Sequence, residues 1–348
     1  MFDTSAYDGH EQVTHFFDET SGLRGIIAIH STVRGPAFGG CRAWFYDSDQ
    51  LALQDALRLS RGMSYKNAVA GLPLGGGKAV IIRKPGQVVT PEQFEAFGRA
   101  VERLEGRYIT AEDVGVKEAD MACIARGTRH LAVLPRQGTA AGGDPSPKTA
   151  YGVFCGIQAA VKARLGSREV KGLRVAVQGL GNVGYGLCQL LKEAGAELIV
   201  SDINAAACER AQRELGASVV AADQILFQDC DVLAPCALGG ILNAQTIPLI
   251  RAKVVAGGAN NQLAEAADGQ LLHGRGILYA PDYVINAGGI ICAAAEYLGG
   301  SSDEQVWQRV AVIEQTLGEI FHESSATNTP PHQVADARAR SLMAQQPA

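Results

Sequence analysis

The chain has 348 residues, of which 47% are apolar and 19% charged, a balance typical of globular proteins and a length sufficient for two domains. A net charge of −5 gives no electrostatic footprint for nucleic acid or an anionic membrane, and no apolar run reaches the roughly 18 residues that span a bilayer. The eight cysteines form no C-x-x-C pair and the seven histidines show no metal-ligand spacing. We therefore expect a cytoplasmic protein with no metal site, no nucleic-acid partner and no membrane contact.

The first part of the chain alternates strand-like and helix-like patterns. Residues 23–31 (LRGIIAIHS) predict a strand, residues 51–63 a helix with one apolar face, and residues 79–83 (AVIIR) a short buried strand. A helix is predicted to begin at residues 90–93 (TPEQ), which combine an N-cap hydroxyl, a first-turn proline and a capping-box glutamine. Residues 107–113 (RYITAED) predict a strand that ends on two carboxylates.

Residues 71–80 (GLPLGGGKAV) place three glycines directly before Lys78. A phosphate-binding loop is excluded, because Leu72 stands where its first glycine is required and Ala79 follows the lysine. A glycine-rich loop between Lys66 and Lys78 is instead able to turn both ammonium groups toward one pocket. Close cations and burial lower a lysine pKa from about 10.4 to about 7–8, where the neutral amine acts as a base. The alternative is that both lysines are solvated surface charges.

The second part of the chain carries a dinucleotide-binding pattern. Around residues 137–148 (QGTAAGGDPSPK) the composition shifts to Gly, Pro, Ser and Thr, which predicts a linker between domains. A strand at 175–178 then leads into the G-x-G-x-x-G run of 179–184, a helix and a second strand that ends at Asp202. The glycines let a pyrophosphate approach the helix N-terminus. Asp202 would bind a ribose 2′-hydroxyl and repel a 2′-phosphate, so the pattern predicts NAD rather than NADP; the alternative is a Rossmann domain that only packs.

Further motifs occur in order along nearly the whole chain. They are GPAFGGCR (35–42), MSYKNAVAGLPLGGGKAVI (63–81), ITAEDVG (109–115), AVQGLGNVG (176–184), APCALGG (234–240), GGANNQ (257–262) and APDYVINAGG (280–289). Together they resemble the amino acid dehydrogenase family of glutamate, leucine, phenylalanine and valine dehydrogenases, and most closely its leucine, phenylalanine and valine branch. The resemblance implies reversible, NAD-dependent oxidative deamination of an L-amino acid to a 2-oxo acid and ammonium by a homo-oligomer.

The resemblance also assigns roles to single residues. Lys66 would hold the substrate α-carboxylate, Lys78 would activate the water that attacks the imino carbon, and Asp113 would move protons to and from the amino nitrogen. Glu112 is expected to be structural, since it points the opposite way if the strand continues. The other substrate-binding residues are Gly39, Gly40 and Asn260, with Phe38, Ala111, Ile290 and Ala293 as pocket walls.

The cofactor-binding residues implied by the resemblance lie mostly around the glycine-rich turn. They are Gly179, Gly181, Asn182, Val183, Gly184, Asp202, Ile203, Thr149, Cys236, Ala237, Asn261 and Asn286. Thr149 would contact the nicotinamide carboxamide. The motif alone does not divide the substrate and ribose roles between Asn260 and Asn261. Cys236 is expected to be a packed residue and not a nucleophile, because no basic neighbour in the sequence activates it.

The pocket walls bear on the choice of amino acid. Leucine-specific relatives usually carry an aliphatic residue at the position of Phe38, so Phe38 should shorten the pocket while Ala293 reopens it on another side. We expect branched aliphatic substrates (leucine, valine or isoleucine), with phenylalanine or tryptophan as the alternative. Two other functions stay open: a non-catalytic dinucleotide-binding regulator, and a 2-hydroxy acid dehydrogenase, for which the motifs lack an Arg–His pair.

The expected architecture is α/β with two domains. Residues 1–140, joined by a C-terminal helix within 326–348, should form an α/β substrate and oligomerisation domain with a largely antiparallel sheet. Residues 141–325 should form a doubly wound Rossmann domain that binds NAD. The active site is expected in the cleft between the two domains.

Overall fold

A computed structural model describes Phe2, Thr4 and residues 6–132 and 143–346. The chain divides into two compact units. The first comprises Met1–Asp144, Cys292–Asp303 and Ala339–Ala348, and the second comprises Pro145–Ile291 and Glu304–Arg338. The predicted domain boundary at 140/141 and residues 137–142 of the predicted linker lie outside the described residues. The last residues of that linker segment, from Ser146 on, already form the first turn of a helix.

The first unit is built on a six-stranded mixed sheet. Its elements are β1 (Gln12–Asp18), β2 (Leu23–Ser31), β3 (Ala37–Phe38), β4 (Cys41–Phe45), α1 (Asp49–Val69), β5 (Gly75–Arg83), α2 (Pro91–Glu102), β6 (Tyr108–Ile109) and α3 (Glu118–Ile124). The strand order is β1-β2-β5-β3-β6, and β4 also pairs with β5. The pairs β1–β2 and β2–β5 are antiparallel, whereas β3 and β4 join β5, and β6 joins β3, in parallel. The sheet is therefore mixed, not largely antiparallel as predicted.

Three element boundaries in this unit differ from the sequence prediction. The helix predicted for 51–63 extends over Asp49–Val69 and so includes Lys66. The strand predicted for 79–83 begins at Gly75, which places the glycine triplet and Lys78 inside a strand and not in a loop. The strand predicted for 107–113 is confined to Tyr108–Ile109. The helix start at Thr90 is confirmed, because the side chains of Thr90 and Gln93 form the reciprocal capping box.

The alternation of side chains along β5 decides which face Lys78 occupies. Val80 and Ile82 pack with the apolar face of α1, whereas Ala79 and Ile81 belong to the opposite core, which includes residues of α2 and α3. Because successive side chains of a strand point to opposite faces, Lys78 lies on the α1 side together with Val80 and Ile82. The helix that carries Lys66 thus packs on the face from which Lys78 projects.

Two buried histidines lie beside α1. His10 Nε2 is 2.9 Å from Leu57 O and 3.0 Å from Ser60 Oγ, and His30 Nδ1 is 2.8 Å from Ser64 Oγ. The rings meet edge to face with their centroids 4.8 Å apart. Burial lowers the pKa of both imidazoles, and for His30, where the neighbouring His10 adds to the effect, the pKa falls to about 4. Both are therefore held neutral in the folded chain.

We expect the folded state to lose stability as the pH falls from 6.5, the ordinary pKa, toward about 4, the lowered pKa of His30. In this window the unfolded chain binds protons that the folded chain does not. The free energy of unfolding therefore falls by up to about 1.4 kcal/mol per pH unit for each histidine. His30→Gln should flatten the dependence of the thermal unfolding midpoint on pH. His15→Gln, at an exposed position of β1, should leave the slope unchanged. An unaltered slope in His30→Gln would contradict this account.

The second unit contains a parallel sheet of six strands with the order β12-β11-β10-β7-β8-β9. From Ser146 onward the elements are α4 (Ser146–Leu165), β7 (Arg174–Gln178), α5 (Asn182–Glu193), β8 (Glu197–Ser201), α6 (Ala205–Leu215), β9 (Ser218–Val219), β10 (Val232–Pro235), β11 (Val254–Val255), α7 (Ala266–Gly274), β12 (Leu278–Tyr279), α8 (Asp282–Ile285), α9 (Gly288–Leu298), α10 (Asp303–Thr327) and α11 (Pro331–Met343). The chain direction across the sheet reverses between β7 and β10, which is the switch point where doubly wound domains bind ligands. The predicted doubly wound Rossmann fold is confirmed.

The end of α11 contacts residues from the N-terminal part of the chain, and both segments belong to the first unit. Arg34 donates to Leu342 O at 3.0 Å and to Gln345 O at 3.2 Å, at and just beyond the end of α11. Arg340 Nε donates to Tyr65 Oη at 2.7 Å. None of the helices in the described part of the chain has the length and apolarity that a membrane crossing requires.

Candidate active site

A buried ion pair joins Lys78 and Asp113 in the first unit. Lys78 Nζ lies 2.6 Å from Asp113 Oδ2, and the two side chains are 7% and 18% exposed. Burial raises the pKa of the Asp113 carboxyl, but the Lys78 ammonium and the Arg42 guanidinium outweigh it and bring the pKa down to about 2. The pair therefore combines an ionised carboxylate and an amine that can exchange a proton over one hydrogen bond. Lys78 and Asp113, predicted as partners in catalysis, are brought into direct contact.

Arg42 completes this charge cluster and was not predicted as a site residue. Its Nε lies 3.3 Å from Asp113 Oδ2, and one terminal nitrogen lies 3.0 Å from Asp55 Oδ2. Tyr46 Oη donates to the same Asp55 oxygen at 2.7 Å. The sequence signal for Arg42 was present in the motif GPAFGGCR, where the arginine is the second residue of a strand that follows two glycines. Its partners could not be read from the sequence, because Asp55 and Asp113 belong to distant segments.

The glycines around Lys78 allow close packing between protein elements. A Cβ atom on Gly76 would lie 2.1 Å from Ser64 N, and one on Gly77 would lie 2.7 Å from Tyr108 Cδ2. A Cβ atom on Gly39 would lie 2.0 Å from Gly77 O. Gly76 and Gly77 are therefore required by packing, because protein atoms fill their Cβ positions, and not by the flexibility of the loop that was predicted between Lys66 and Lys78.

Gly39 and Gly40 connect β3 to β4 beside the ion pair. Tyr108 Oη donates to Gly39 O at 2.6 Å, and a Cβ atom on Gly40 would lie 2.3 Å from Glu112 O and 3.0 Å from Asp113 Cβ. The backbone of Gly40 thus touches the segment that carries Asp113. Any larger residue at Gly40 would push Asp113 away from Lys78.

Lys66 lies in the last turn of α1 and is half-buried. The next residue, Asn67, is fully buried and fixes this end of the helix, since its Nδ2 donates to Phe38 O at 3.2 Å and to Gly75 O at 2.5 Å. The two bonds tie the end of α1 to the strand that precedes Gly39 and to the start of β5. Lys66 and Lys78 therefore project from two elements that pack directly against each other.

The predicted pocket walls that belong to the first unit are buried, and one of them, Phe38, forms an aromatic pair. Phe38 is fully buried, and Ala111 and Ala293 are each 6% exposed. The ring of Phe38 lies 6.1 Å from that of Tyr297, a residue of α9 that belongs to the same unit. Tyr297 was not predicted, because no motif included it. Its spacing from Ala293, one helical turn, was the available signal.

The glycine-rich turn of the second unit follows β7. Gly179 has a φ of +93°, which glycine adopts without strain, and a Cβ atom on Gly184 would lie 2.0 Å from Gly179 O. Gly181 is the N-cap of α5 and makes no side-chain cap, and no atom of the described residues lies within 4 Å of its Cβ position. The first turn, which contains Asn182 and Val183, therefore presents free N–H groups to open space. These residues fit the pyrophosphate of a dinucleotide.

Asp202 follows β8 and is held beside this turn. Its Oδ2 accepts from Leu180 N at 2.6 Å and its Oδ1 from Asn204 N at 2.7 Å. The carboxylate thereby lies where doubly wound domains bind a cofactor ribose. The neighbouring Ile203 is 97% exposed, which is uncommon for a large apolar side chain and leaves an apolar surface next to the carboxylate.

Three asparagines follow the strands on the other side of the switch point. Asn286 Nδ2 donates to Asn260 Oδ1 at 2.7 Å and to Gly258 O at 3.2 Å. Asn286 Oδ1 is buried and has no hydrogen-bond partner among the described residues. Asn261 has a φ of +52°, and its carbonyl accepts from Gly240 N at 2.7 Å. A buried acceptor without a partner is uncommon, and a donor on a bound ligand would satisfy it.

Cys236 and Ala237 follow β10 and adjoin the glycine-rich turn. A Cβ atom on Gly179 would lie 2.8 Å from Ala237 Cβ. Gly258 N donates to Cys236 Sγ at 3.4 Å. Burial raises the pKa of the Cys236 thiol to about 11, so it is protonated at neutral pH. A protonated thiol is a weak nucleophile, in agreement with the expectation that Cys236 is a packed residue.

Thr149 and Ile290 also belong to the second unit. Thr149 lies in the first turn of α4, and its hydroxyl donates to Pro145 O at 3.0 Å. A Cβ atom on Gly289 would lie 2.8 Å from Thr149 Oγ1, so the start of α9 touches Thr149. Ile290, the next residue of α9, is half-buried.

Comparisons with known proteins agree with this geometry. The family models "Glu/Leu/Phe/Val dehydrogenase, dimerisation domain" and "Glutamate/Leucine/Phenylalanine/Valine dehydrogenase" match residues 10–130 and residues 144–215 and 205–336. A leucine dehydrogenase of Geobacillus stearothermophilus is 51% identical over 96% of this chain and 90% of its own length. An L-tryptophan dehydrogenase of Nostoc punctiforme is 47% identical over 92% of this chain and 90% of its own length.

Among solved structures, the crystal structure of L-tryptophan dehydrogenase from Nostoc punctiforme superposes with a TM-score of 0.83 at 44% identity and covers 96% of both chains. The two family models together span both units described above. The fold, the glycine-rich turn and the buried lysine–aspartate pair occur in one chain. The chain thus belongs to the Glu/Leu/Phe/Val dehydrogenase family and is an amino acid dehydrogenase, an enzyme of oxidative deamination that uses a dinucleotide cofactor.

Proposed function

We propose that the protein catalyses the reversible, NAD-dependent oxidative deamination of a branched aliphatic L-amino acid, with leucine favoured, to the 2-oxo acid and ammonium. The observation that carries the proposal is the buried contact of 2.6 Å between Lys78 Nζ and Asp113 Oδ2. Deamination requires water to add to an imine and a proton to reach the departing nitrogen, and both steps call for a positioned base and acid. The 51% identity to a leucine dehydrogenase supports the aliphatic substrate.

In this mechanism Lys66 pairs with the substrate α-carboxylate and orients the α-carbon. When bound, the nicotinamide supplies the acceptor for the hydride of that carbon. Lys78, as the neutral amine, takes a proton from the water that attacks the imino carbon. Asp113 carries protons to and from the substrate nitrogen, so that ammonium leaves. Each turnover consumes one water and one oxidised cofactor and releases one 2-oxo acid, one ammonium, one reduced cofactor and one proton.

The residues of the second unit support NAD as the cofactor. We propose that the N–H groups of the first turn of α5 bind the pyrophosphate and that Asp202 binds the ribose 2′-hydroxyl. A 2′-phosphate would meet the Asp202 carboxylate, which is fixed by two backbone N–H groups and cannot turn away at low cost. Ile203 offers an apolar surface for the adenine, and Asn286 Oδ1 offers an acceptor for the nicotinamide half.

The walls of the first unit support a short apolar pocket. Phe38 is fully buried with its ring 6.1 Å from that of Tyr297, and the other two walls, Ala111 and Ala293, are small, buried and apolar. Among the predicted walls no cation is present to pair with a second substrate carboxylate. The alternative is an aromatic substrate, phenylalanine or tryptophan, and the L-tryptophan dehydrogenase at 47% identity is the observation that favours it.

Phe38→Ala should shift the substrate preference toward larger side chains. An apolar pocket discriminates one methylene by about 1–3 kcal/mol, so we expect the ratio of kcat/KM for phenylalanine to that for leucine to rise at least about tenfold. The measurement is initial-rate kinetics with both substrates at saturating NAD. Ala293→Gly, which removes less volume from the same wall, serves as the matched variant with a smaller change. A constant ratio in Phe38→Ala would exclude Phe38 from the pocket.

The proposed function is tested by following absorbance at the NADH band. L-amino acids are screened with NAD or NADP, and the corresponding 2-oxo acids with NADH and ammonium. We expect the highest kcat/KM with leucine, valine or isoleucine and a clear preference for NAD. A preference for NADP would contradict the role of Asp202, and the absence of turnover with every amino acid would contradict the proposal itself.

We further propose that the protein is a homo-oligomer. Light scattering of the purified protein would test this, and a monomer would contradict it.

A further inference from the structure

Arg42 occupies a position between two carboxylates that no assigned role explains. It lies on β4, and the neighbouring residues Cys41 and Ala43 face the opposite core, so Arg42 projects toward α1. Its guanidinium bridges Asp113, at 3.3 Å, and Asp55, at 3.0 Å. Arg42 and Asp113 are each only 18% exposed and Asp55 only 14%. The four side chains Lys78, Asp113, Arg42 and Asp55 thus form one continuous row of alternating charge.

The outer end of this row is anchored on α1. Asp55 accepts from Tyr46 Oη at 2.7 Å through Oδ2 and contacts Arg58 at 3.4 Å through Oδ1. Beyond it opens a cavity of about 710 Å³, which is lined by Arg42, Asp55, Tyr46 and Arg58 among others. Asp55 therefore fixes the guanidinium of Arg42 from the side away from Lys78.

At the other end of the row, Arg42 and Lys78 share one oxygen of Asp113. Lys78 and Arg42 both contact the same oxygen, Asp113 Oδ2, at 2.6 and 3.3 Å. That oxygen is thus turned toward two cations, and the carboxylate cannot rotate without breaking two charge-assisted bonds. With Arg42 absent, the ammonium of Lys78 would be the only cation described in contact with Asp113, and its proton would be held more firmly.

We propose that Arg42 is a positioning residue of the amino acid dehydrogenase reaction, which orients Asp113 and shares its negative charge, so that the carboxylate holds the Lys78 ammonium less firmly and Lys78 can give up its proton. The inference rests on the proposed roles of Lys78 and Asp113. Arg42 does not touch the substrate in this proposal. It acts through Asp113, and its own orientation depends on Asp55.

Three uncharged ionisable groups lie near the pair: Cys41 on β4, Tyr46 after β4 and Tyr108 on β6. The charged neighbours are Arg42 on β4 and Asp55 on α1, the helix that also carries Lys66. Burial raises the pKa of the Cys41 thiol and of the Tyr46 and Tyr108 hydroxyls, so these three stay protonated and uncharged. We therefore assign the acidic limb expected in the kinetics to the Lys78–Asp113 pair as a unit.

The test compares the pH dependence of kcat/KM in Arg42→Gln, Arg42→Lys and Arg58→Gln. Loss of a charge within about 4–6 Å shifts a pKa by roughly 1–3 units, so Arg42→Gln should move the acidic limb of amino acid oxidation at least about one pH unit higher. At a pH below the limb, kcat/KM of Arg42→Gln should therefore be at least about tenfold lower than that of the wild type at the same pH. Arg42→Lys keeps the charge, so its acidic limb should lie close to the wild-type position. Arg58→Gln removes a charge from the same cavity without contact to Asp113 and should leave the limb in place.

Circular dichroism and the thermal unfolding midpoint show whether each variant is folded. If Arg42→Gln does not fold, Asp55→Asn, which loosens Arg42 and leaves the Lys78–Asp113 pair intact, should move the same limb upward by a smaller amount. An unmoved limb in the folded Arg42 variant, or in Asp55→Asn, would overturn the inference, as would an equal shift in Arg58→Gln. Failure of the wild-type protein to oxidise any amino acid would instead overturn the proposed function, so the two outcomes are distinguishable.

Discussion

Lys78→Ala is expected to abolish turnover while it leaves cofactor binding nearly unchanged. General acid–base groups contribute typically about 10²–10⁴-fold, and Lys78 is also a partner of Asp113, so we expect kcat to fall at least about 10³-fold. The residues assigned to the dinucleotide belong to the second unit, and Lys78 belongs to the first. The Kd for NADH, measured by fluorescence, should therefore stay close to the wild-type value.

Lys84→Ala is the matched control for this prediction. Lys84 directly follows β5, carries the same charge and is exposed. Its removal should change neither kcat nor KM measurably. A Lys78→Ala enzyme that keeps more than about a tenth of the wild-type kcat would contradict the role of Lys78 as a base, because that loss is below the usual range for such groups.

Gly76→Ala is expected to destabilise the first unit severely. A Cβ atom at this position would lie 2.1 Å from Ser64 N, 2.2 Å from Ser64 Oγ and 2.4 Å from Ser64 Cα. Two of these three atoms belong to the backbone of α1, so the whole helix must move away from β5. Overpacking of this kind costs about 1–3 kcal/mol or more. The thermal unfolding midpoint of the variant should fall by roughly 5–10 °C, as measured by calorimetry or circular dichroism.

Gly62→Ala provides the contrasting case within the same helix. In the described part of the chain no atom lies within 4 Å of its Cβ position, and alanine is favoured over glycine in a helix interior by about 1 kcal/mol. The midpoint of Gly62→Ala should stay level or rise. If Gly76→Ala unfolds at the wild-type temperature, then α1 does not pack against β5 as closely as described.

The features that depend on local sequence were predictable. The Thr90–Gln93 capping box and the parallel sheet around the glycine-rich turn follow from short patterns with one dominant physical reading, and both are confirmed. The pairing of Lys78 with Asp113 was also anticipated, but only through the family resemblance. The spacing in the sequence between Lys78, on β5, and Asp113, in the segment after β6, does not give the distance between them.

The features that depend on contacts between distant segments were not predictable. The glycine triplet reads as a loop because glycine is rare in strands, and only the neighbours Ser64 and Tyr108 explain why strand β5 requires it. Arg42 became part of the site through the parallel register that pairs it with Val80, which no local pattern encodes. Tyr297 was missed for the same reason, since its partner Phe38 lies far away in the chain.

Because Lys78 lies on a strand, the face to which its side chain points depends on its position in the alternation of side chains. Val80 and Ile82 lie on the same face as Lys78, and Ala79 and Ile81 lie on the other. A deletion of one codon between Gly75 and Lys78 would reverse every later side chain of β5 and send the ammonium into the apolar interior that contains Phe97 and Met121. Descendants of this gene can therefore vary the walls that surround the amino acid far more freely than the length of the segment that delivers the lysine.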